Sequence, residues 1–173
     1  MCIRDRHYWR TEFGASPAPW LPHFLVFANA GRITDYASGV VRPGLELIAA
    51  LSARPLPALE LESRVSLSQL KREGKRTYRE VGSQLLGVYH FDARQSLRTI
   101  VQRTTLDRRS EPGVAAARAA STTTSLTYAF RRSMGTCLYI GATTLRDGLE
   151  TARRGTESFI KLQADFDEVR GMY

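Results

Sequence analysis

Glu60 and Glu62 come nearest, by type and spacing, to residues that could do chemistry. They stand two apart in the run L-E-L-E-S-R-V-S-L-S-Q-L, residues 59–70. On an extended chain, side chains two apart share a face and lie roughly 7 Å from each other, a geometry that invites general acid–base work by paired carboxylates. No nucleophile or base partner accompanies them, so the reading turns away from catalysis. His7, His23 and His90 are scattered, without i, i+2 or i, i+4 spacing, and Cys2 and Cys137 are the only cysteines. Neither set has the pattern of a metal site, and two distant cysteines make no disulfide framework. Phosphate-binding glycine patterns are absent, and the Ser/Thr cluster 121–125 suits a hydrated strand face better than a nucleophile. The sequence therefore points to no catalytic residue, no metal and no cofactor.

The charged residues are more informative. The 173-residue chain carries 25 Lys and Arg against 17 Asp and Glu, a net charge of +8, with a pI near 10.0. Such a balance favours anionic partners, nucleic acid or phosphate-rich lipid among them, and says nothing about fold. Recognisable nucleic-acid motifs are missing, and the aromatic residues are not interleaved with the basic ones, which sets that partner aside.

The elements that must carry these residues are strands. In 59–70, Leu59, Leu61, Val65 and Leu67 fall on one parity, and Glu60, Glu62, Arg64, Ser66 and Ser68 on the other. A helix would mix the two sets around its circumference, whereas a strand sends them to opposite faces. Similar patterns predict strands over 24–33, 40–51, 77–91, 97–106, 122–130, 136–145 and 158–166. Val114–Ala120 is Ala-rich but too short for an independent helix. The expected fold is all-β: an antiparallel up-and-down meander of about eight strands, part or all of a transmembrane β-barrel. Several strands reach the ~10 residues that a tilted strand needs to cross a bilayer. No stretch has the ~18 apolar residues of a membrane-spanning helix. Residues 1–21, rich in Pro and Gly, read as an irregular N-terminal segment, 22–167 as the barrel domain, and 168–173 as a tail. The opening M-C-I-R-D-R resembles translated sequencing-adapter read-through, so the expectation is a C-terminal fragment.

Two regularities favour lipid over a protein core for the apolar faces. Short connections at 52–57, 92–95 and 131–135 alternate with longer or more basic ones at 71–76, 107–120 and 146–156, as the two ends of an outer-membrane barrel do. Aromatics gather at the short-turn end, where Tyr89, Phe91, Tyr128, Phe130 and Phe166 would form an interfacial girdle. The lumen would then be lined by Glu60, Glu62, Arg64, Glu80, Arg98, Lys161 and Asp165. Lys71, Arg72, Lys75, Arg76, Arg108, Arg109, Arg153 and Arg154 would meet the phosphates of lipopolysaccharide from the external loops.

The runs L-E-L-E-S-R-V-S, Y-H-F-D-A-R-Q-S-L-R-T-I-V-Q, S-L-T-Y-A-F-R-R-S-M-G-T-C-L-Y-I-G and S-F-I-K-L-Q-A-D-F resemble the C-terminal end of a bacterial protein type. Those proteins join an N-terminal family-nine-like carbohydrate-binding module to a C-terminal domain of uncharacterised function that looks like an outer-membrane β-barrel. The resemblance spans roughly residues 40–167. It implies a bacterial outer-membrane location in a Gram-negative cell, outer-membrane lipid and lipopolysaccharide as partners, and a link to carbohydrate through a module missing here. It supplies no catalytic residue. This chain departs from the pattern by extending past its last strand as D-E-V-R-G-M-Y. Two other functions stay open: a soluble lipocalin-like barrel holding a small ligand in an apolar interior, and a carbohydrate-active enzyme using Glu60 or Glu62. The first requires Leu61 and Leu162 inside, with Glu60 and Lys161 outside.

Overall fold

A computed structural model describes residues 8–133, 135–148 and 153–164. Among them every regular element is a strand: β1 (Tyr8–Ala15), β2 (His23–Asp35), β3 (Val40–Leu56), β4 (Leu59–Arg72), β5 (Lys75–His90), β6 (Gln95–Arg108), β7 (Ala117–Arg131), β8 (Cys137–Asp147) and β9 (Arg153–Gln163). They form one sheet in sequence order, each antiparallel to the next. The all-β antiparallel meander expected from the alternation is the fold.

Nine strands stand where about eight were expected. The additional one, β1, lies in the segment read as irregular, so the sheet includes Tyr8–Ala15 as well as the residues from 22 onward. Pro17 and Pro19 fall beyond its end, in the connection to β2, and its own residues alternate (Trp9, Thr11, Phe13) like those of the later strands. The alternation of loop lengths also fails. Strands run into the expected loops: β4 and β5 are joined by Glu73-Gly74 alone, with φ of 51° and 77°, the left-handed pair of a two-residue hairpin turn. Only the β6–β7 connection, residues 109–116, is markedly long at that end, while 16–22 at the opposite end is nearly as long.

The sheet curls, and cross-strand ion pairs tell which way. Asp35 ends β2 and Arg108 ends β6, four strands away; on a flat sheet that is roughly 19 Å, beyond the reach of one arginine side chain. Their side chains nevertheless meet at 3.2 Å. The face bearing Asp35 and Arg108 is therefore concave. Strand register then assigns every other residue. The row Gly31, Gly44, Leu70, Tyr78, Arg108 crosses five strands on the concave side, and Glu46, Ser68 and Glu80 lie on the same side two residues further along their strands. Leu47, Leu67 and Val81 are on the convex side.

The described residues enclose little apolar surface. Among the described residues only Ala53, Leu70 and Cys137 are buried apolar residues, and no large side chain is fully enclosed. A soluble domain of this length hides a substantial apolar interior. Apolar side chains occur on both faces, and those on the outside of the curl include some of the most exposed: Val65 is 44% exposed, Ile160 76% and Leu162 69%.

Candidate functional site

The concave side at the long-loop end holds a cluster of charges that no local pattern in the sequence announced. Asp35 closes β2, and its carboxylate accepts from the Ala37 backbone N–H at 3.1 Å and from the Ser38 hydroxyl at 2.9 Å. That Asx-turn shapes the four-residue connection to β3 and aims the carboxylate inward. Arg108 Nη1 donates to its Oδ1 at 3.2 Å, and Arg42 Nε lies 3.9 Å from its Oδ2. Arg42 continues the chain of contacts: its Nη1 pairs with Glu111 and reaches the Thr77 hydroxyl at 3.5 Å. The Arg108 guanidinium lies 4.7 Å above the Tyr78 ring, and the Tyr78 hydroxyl donates to Glu80. Asp35 is 3% exposed and Arg42 8%.

Glu111 belongs to the 109–116 connection, whose Glu111 and Val114 pair as a tight turn around Pro112-Gly113. Its ion pair with Arg42 of β3 draws this connection across the concave side, from the β6–β7 end to the β2–β3 end. Glycine makes room beneath. A Cβ on Gly44 would come within 2.8 Å of Leu70 Cδ2 and 2.9 Å of the Gln69 carbonyl oxygen, so a residue without a Cβ is needed where β4 packs against β3 at this point.

The expected lumen residues lie on this same face. Glu60, Glu62 and Arg64 share it with Glu80 and Arg98 through the β4–β5–β6 register, and Lys161 faces it from β9; Asp165 lies outside the described residues. They do not form one network. Glu60 pairs with Arg54 at 2.9 Å, Glu80 is held by Tyr78, and Glu62, Arg64 and Arg98 stand open to solvent. Glu60 and Glu62 thus share a face, but Glu60 is engaged by Arg54 while Glu62 has no ion-pair partner among the described residues. No group of three or more potential metal ligands occurs among the described residues. The facing is the reverse of that required by an apolar ligand cup: Leu61 and Leu162 are outside, Glu60 and Lys161 inside.

Arg108 requires a correction. It was expected among the residues of the external loops, but it is the last residue of β6, points into the curl and is committed to Asp35. An in-plane partner four strands distant is invisible to spacing rules. Lys71, Arg72, Lys75 and Arg76 cluster about the β4–β5 turn, and Arg109 and Arg154 are exposed at the same end; the Arg153 side chain lies outside the described residues. Tyr89, Tyr128 and Phe130 are on the convex face, and Phe91 follows β5 with its ring 5.0 Å from that of Tyr89. Trp20, unassigned in the sequence reading, joins this end at 56% exposure. Phe166 lies outside the described residues.

The apolar band on the convex face drifts. On β3 it comprises Leu45, Leu47, Ala49 and Leu51, and register carries Leu47 to Thr105 and Ala49 to Arg103 on β6. The apolar residues of β6 on that face are instead Leu97 and Val101, nearer the short-turn end, and on β9 they are Ile160 and Leu162. Comparison of the chain with protein-family models, curated proteins and solved structures returned no match.

Proposed function

We propose that this chain is the membrane-spanning β-barrel part of a bacterial outer-membrane protein, with a structural role and a lumen closed at its long-loop end. The observation that carries this reading is the exposed apolar band on the convex side, with Val65, Leu85, Ile160 and Leu162 in it, while the enclosed ion pairs of Asp35, Arg42, Arg108 and Glu111 lie on the concave side. Lipid solvates an apolar exterior, and a barrel lumen tolerates charge. The drifting band supports it, because a level hydrocarbon layer crossing tilted strands requires that drift. So do the aromatics at one end, which suit a membrane interface.

The Arg42–Glu111 pair favours an anchor over an open conduit, since it holds residues 109–116 across the concave side. A transport role would require that connection to move. The link to carbohydrate rests on the resemblance of residues 40–167 alone. The edges of β1 and β9 run in the same direction and pair with no further strand among the described residues. Hydrocarbon does not tolerate such open edges, so in a bilayer each must find a partner. The test is folding from urea into phosphatidylcholine vesicles. The reading expects a protease-resistant species whose gel migration changes on heating; a chain that stays outside the vesicles contradicts it.

A further inference from the structure

On the convex face, where β5, β6 and β7 reach the long-loop end, Arg76, Arg79, Arg103 and Arg118 surround a single carboxylate, Asp107. They line a hollow of about 470 Å³ whose floor includes Val81 and Thr105. Asp107 is shared between Arg118, 3.3 Å away, and Arg76, 3.8 Å away. Arg79 and Arg103 have no carboxylate or hydrogen-bond partner among the described residues. Register fixes the arrangement: Arg79, Asp107 and Arg118 form one row, and Arg103 lies four residues further down β6. Below them on the same face run Leu85 and Val101, which face each other across β5 and β6, then Tyr89 and Leu97.

We infer that this hollow binds the phosphorylated headgroup of a membrane glycolipid whose acyl chains lie along Val81, Leu85 and Val101. Four guanidinium groups against one carboxylate leave an excess of planar donors suited to phosphate oxygens. Arginine stems on a barrel surface extend along apolar residues and carry their charge toward the interface. A cationic hollow with the apolar pair Leu85 and Val101 one step below it, beyond Ser83 and Arg103, calls for a ligand bearing both a phosphate and an apolar chain, a combination that inorganic phosphate lacks. The inference rests on the membrane reading above and narrows its general basic rim to one site, in which Arg79 and Arg103 are the uncommitted cations.

The experiment uses the chain folded into phosphatidylcholine vesicles and then solubilised in a zwitterionic detergent, titrated with diphosphoryl lipid A, monophosphoryl lipid A and inorganic phosphate. Saturable binding is expected to be tightest for the diphosphoryl lipid, and inorganic phosphate at equal concentration should not displace it. Arg79→Gln/Arg103→Gln should weaken binding about tenfold or more, and Lys71→Gln/Arg72→Gln, outside the hollow, should change it less than about twofold. Asp107→Asn supplies a variant of opposite sign: freeing Arg76 and Arg118 should tighten binding. Unchanged affinity in the arginine double variant, weakening in Asp107→Asn, or displacement by inorganic phosphate overturns the site while leaving the barrel standing. Failure to insert into the phosphatidylcholine vesicles overturns the membrane reading and the site with it.

Discussion

Asp35 and Arg108, 73 residues apart in sequence, join Oδ1 to Nη1 at 3.2 Å across the hollow of the sheet. This pair fixes the handedness of the facing: once the two side chains meet, every residue in register with them is inside. Removing one partner of an enclosed ion pair leaves the other charge uncompensated, at about 3–5 kcal/mol. Asp35→Ala should therefore lower unfolding stability in detergent by about 3 kcal/mol, measured by urea titration, with two arginines left facing each other. A loss below about 0.5 kcal/mol would mean that the cluster does not hold the curl.

The β6–β7 connection offers a separate test of closure at that end. Glu111→Ala removes its ion pair with Arg42 but leaves Arg42 near Asp35. Trypsin cleavage after Arg109 should then accelerate several-fold more than any loss of global stability, followed in parallel by urea titration, accounts for, because a connection released from its contacts opens locally. Equal cleavage rates in the two proteins would show that the pair does not restrain residues 109–116.

Gly44 should resist substitution. Its Cβ would meet the Gln69 carbonyl oxygen at 2.9 Å and Leu70 Cδ2 at 2.8 Å, and crowding of this kind costs about 1–3 kcal/mol. Gly44→Ala should fall within that range by urea titration, whereas Gly155→Ala, which meets open space, should stay within about 0.5 kcal/mol.

How much of this was legible beforehand follows the range of the forces involved. Alternation in Leu59–Leu70 is a property of neighbours, so strand type and the grouping of Glu60 with Glu62 could be read directly. Strand ends were less legible, because β4 and β5 continue through Lys71-Arg72 and Lys75-Arg76 by backbone pairing to their Glu73-Gly74 turn, irrespective of side-chain polarity. Trp9, Thr11 and Phe13 alternate as clearly as later strands, but the prolines beyond them masked β1. The Asx-turn of Asp35 was a local signal. That its carboxylate would meet Arg42 and Arg108 depends on the curl of the whole sheet, which no spacing rule contains.

Charge on the convex face should be costly where the band is apolar. Leu85→Arg should destabilise the folded chain in a bilayer by about 2–4 kcal/mol, the cost of arginine near a bilayer midplane. Gln84→Arg, one residue away on the concave face beside Gln102, should change stability by less than about 1 kcal/mol. Folding free energies from urea titration in vesicles give both values, and equal costs would remove the distinction between the two faces.

The facing itself can be read optically. Trp9 and Trp20 are replaced by Phe, and a single reporter is placed as Leu85→Trp or Gln84→Trp in vesicles of phosphatidylcholine brominated on its acyl chains. If the convex side meets lipid, the reporter at 85 is strongly quenched relative to unbrominated vesicles and the reporter at 84 is not. Quenching at 84 with none at 85, or at neither position, would contradict a barrel that faces lipid with its leucines.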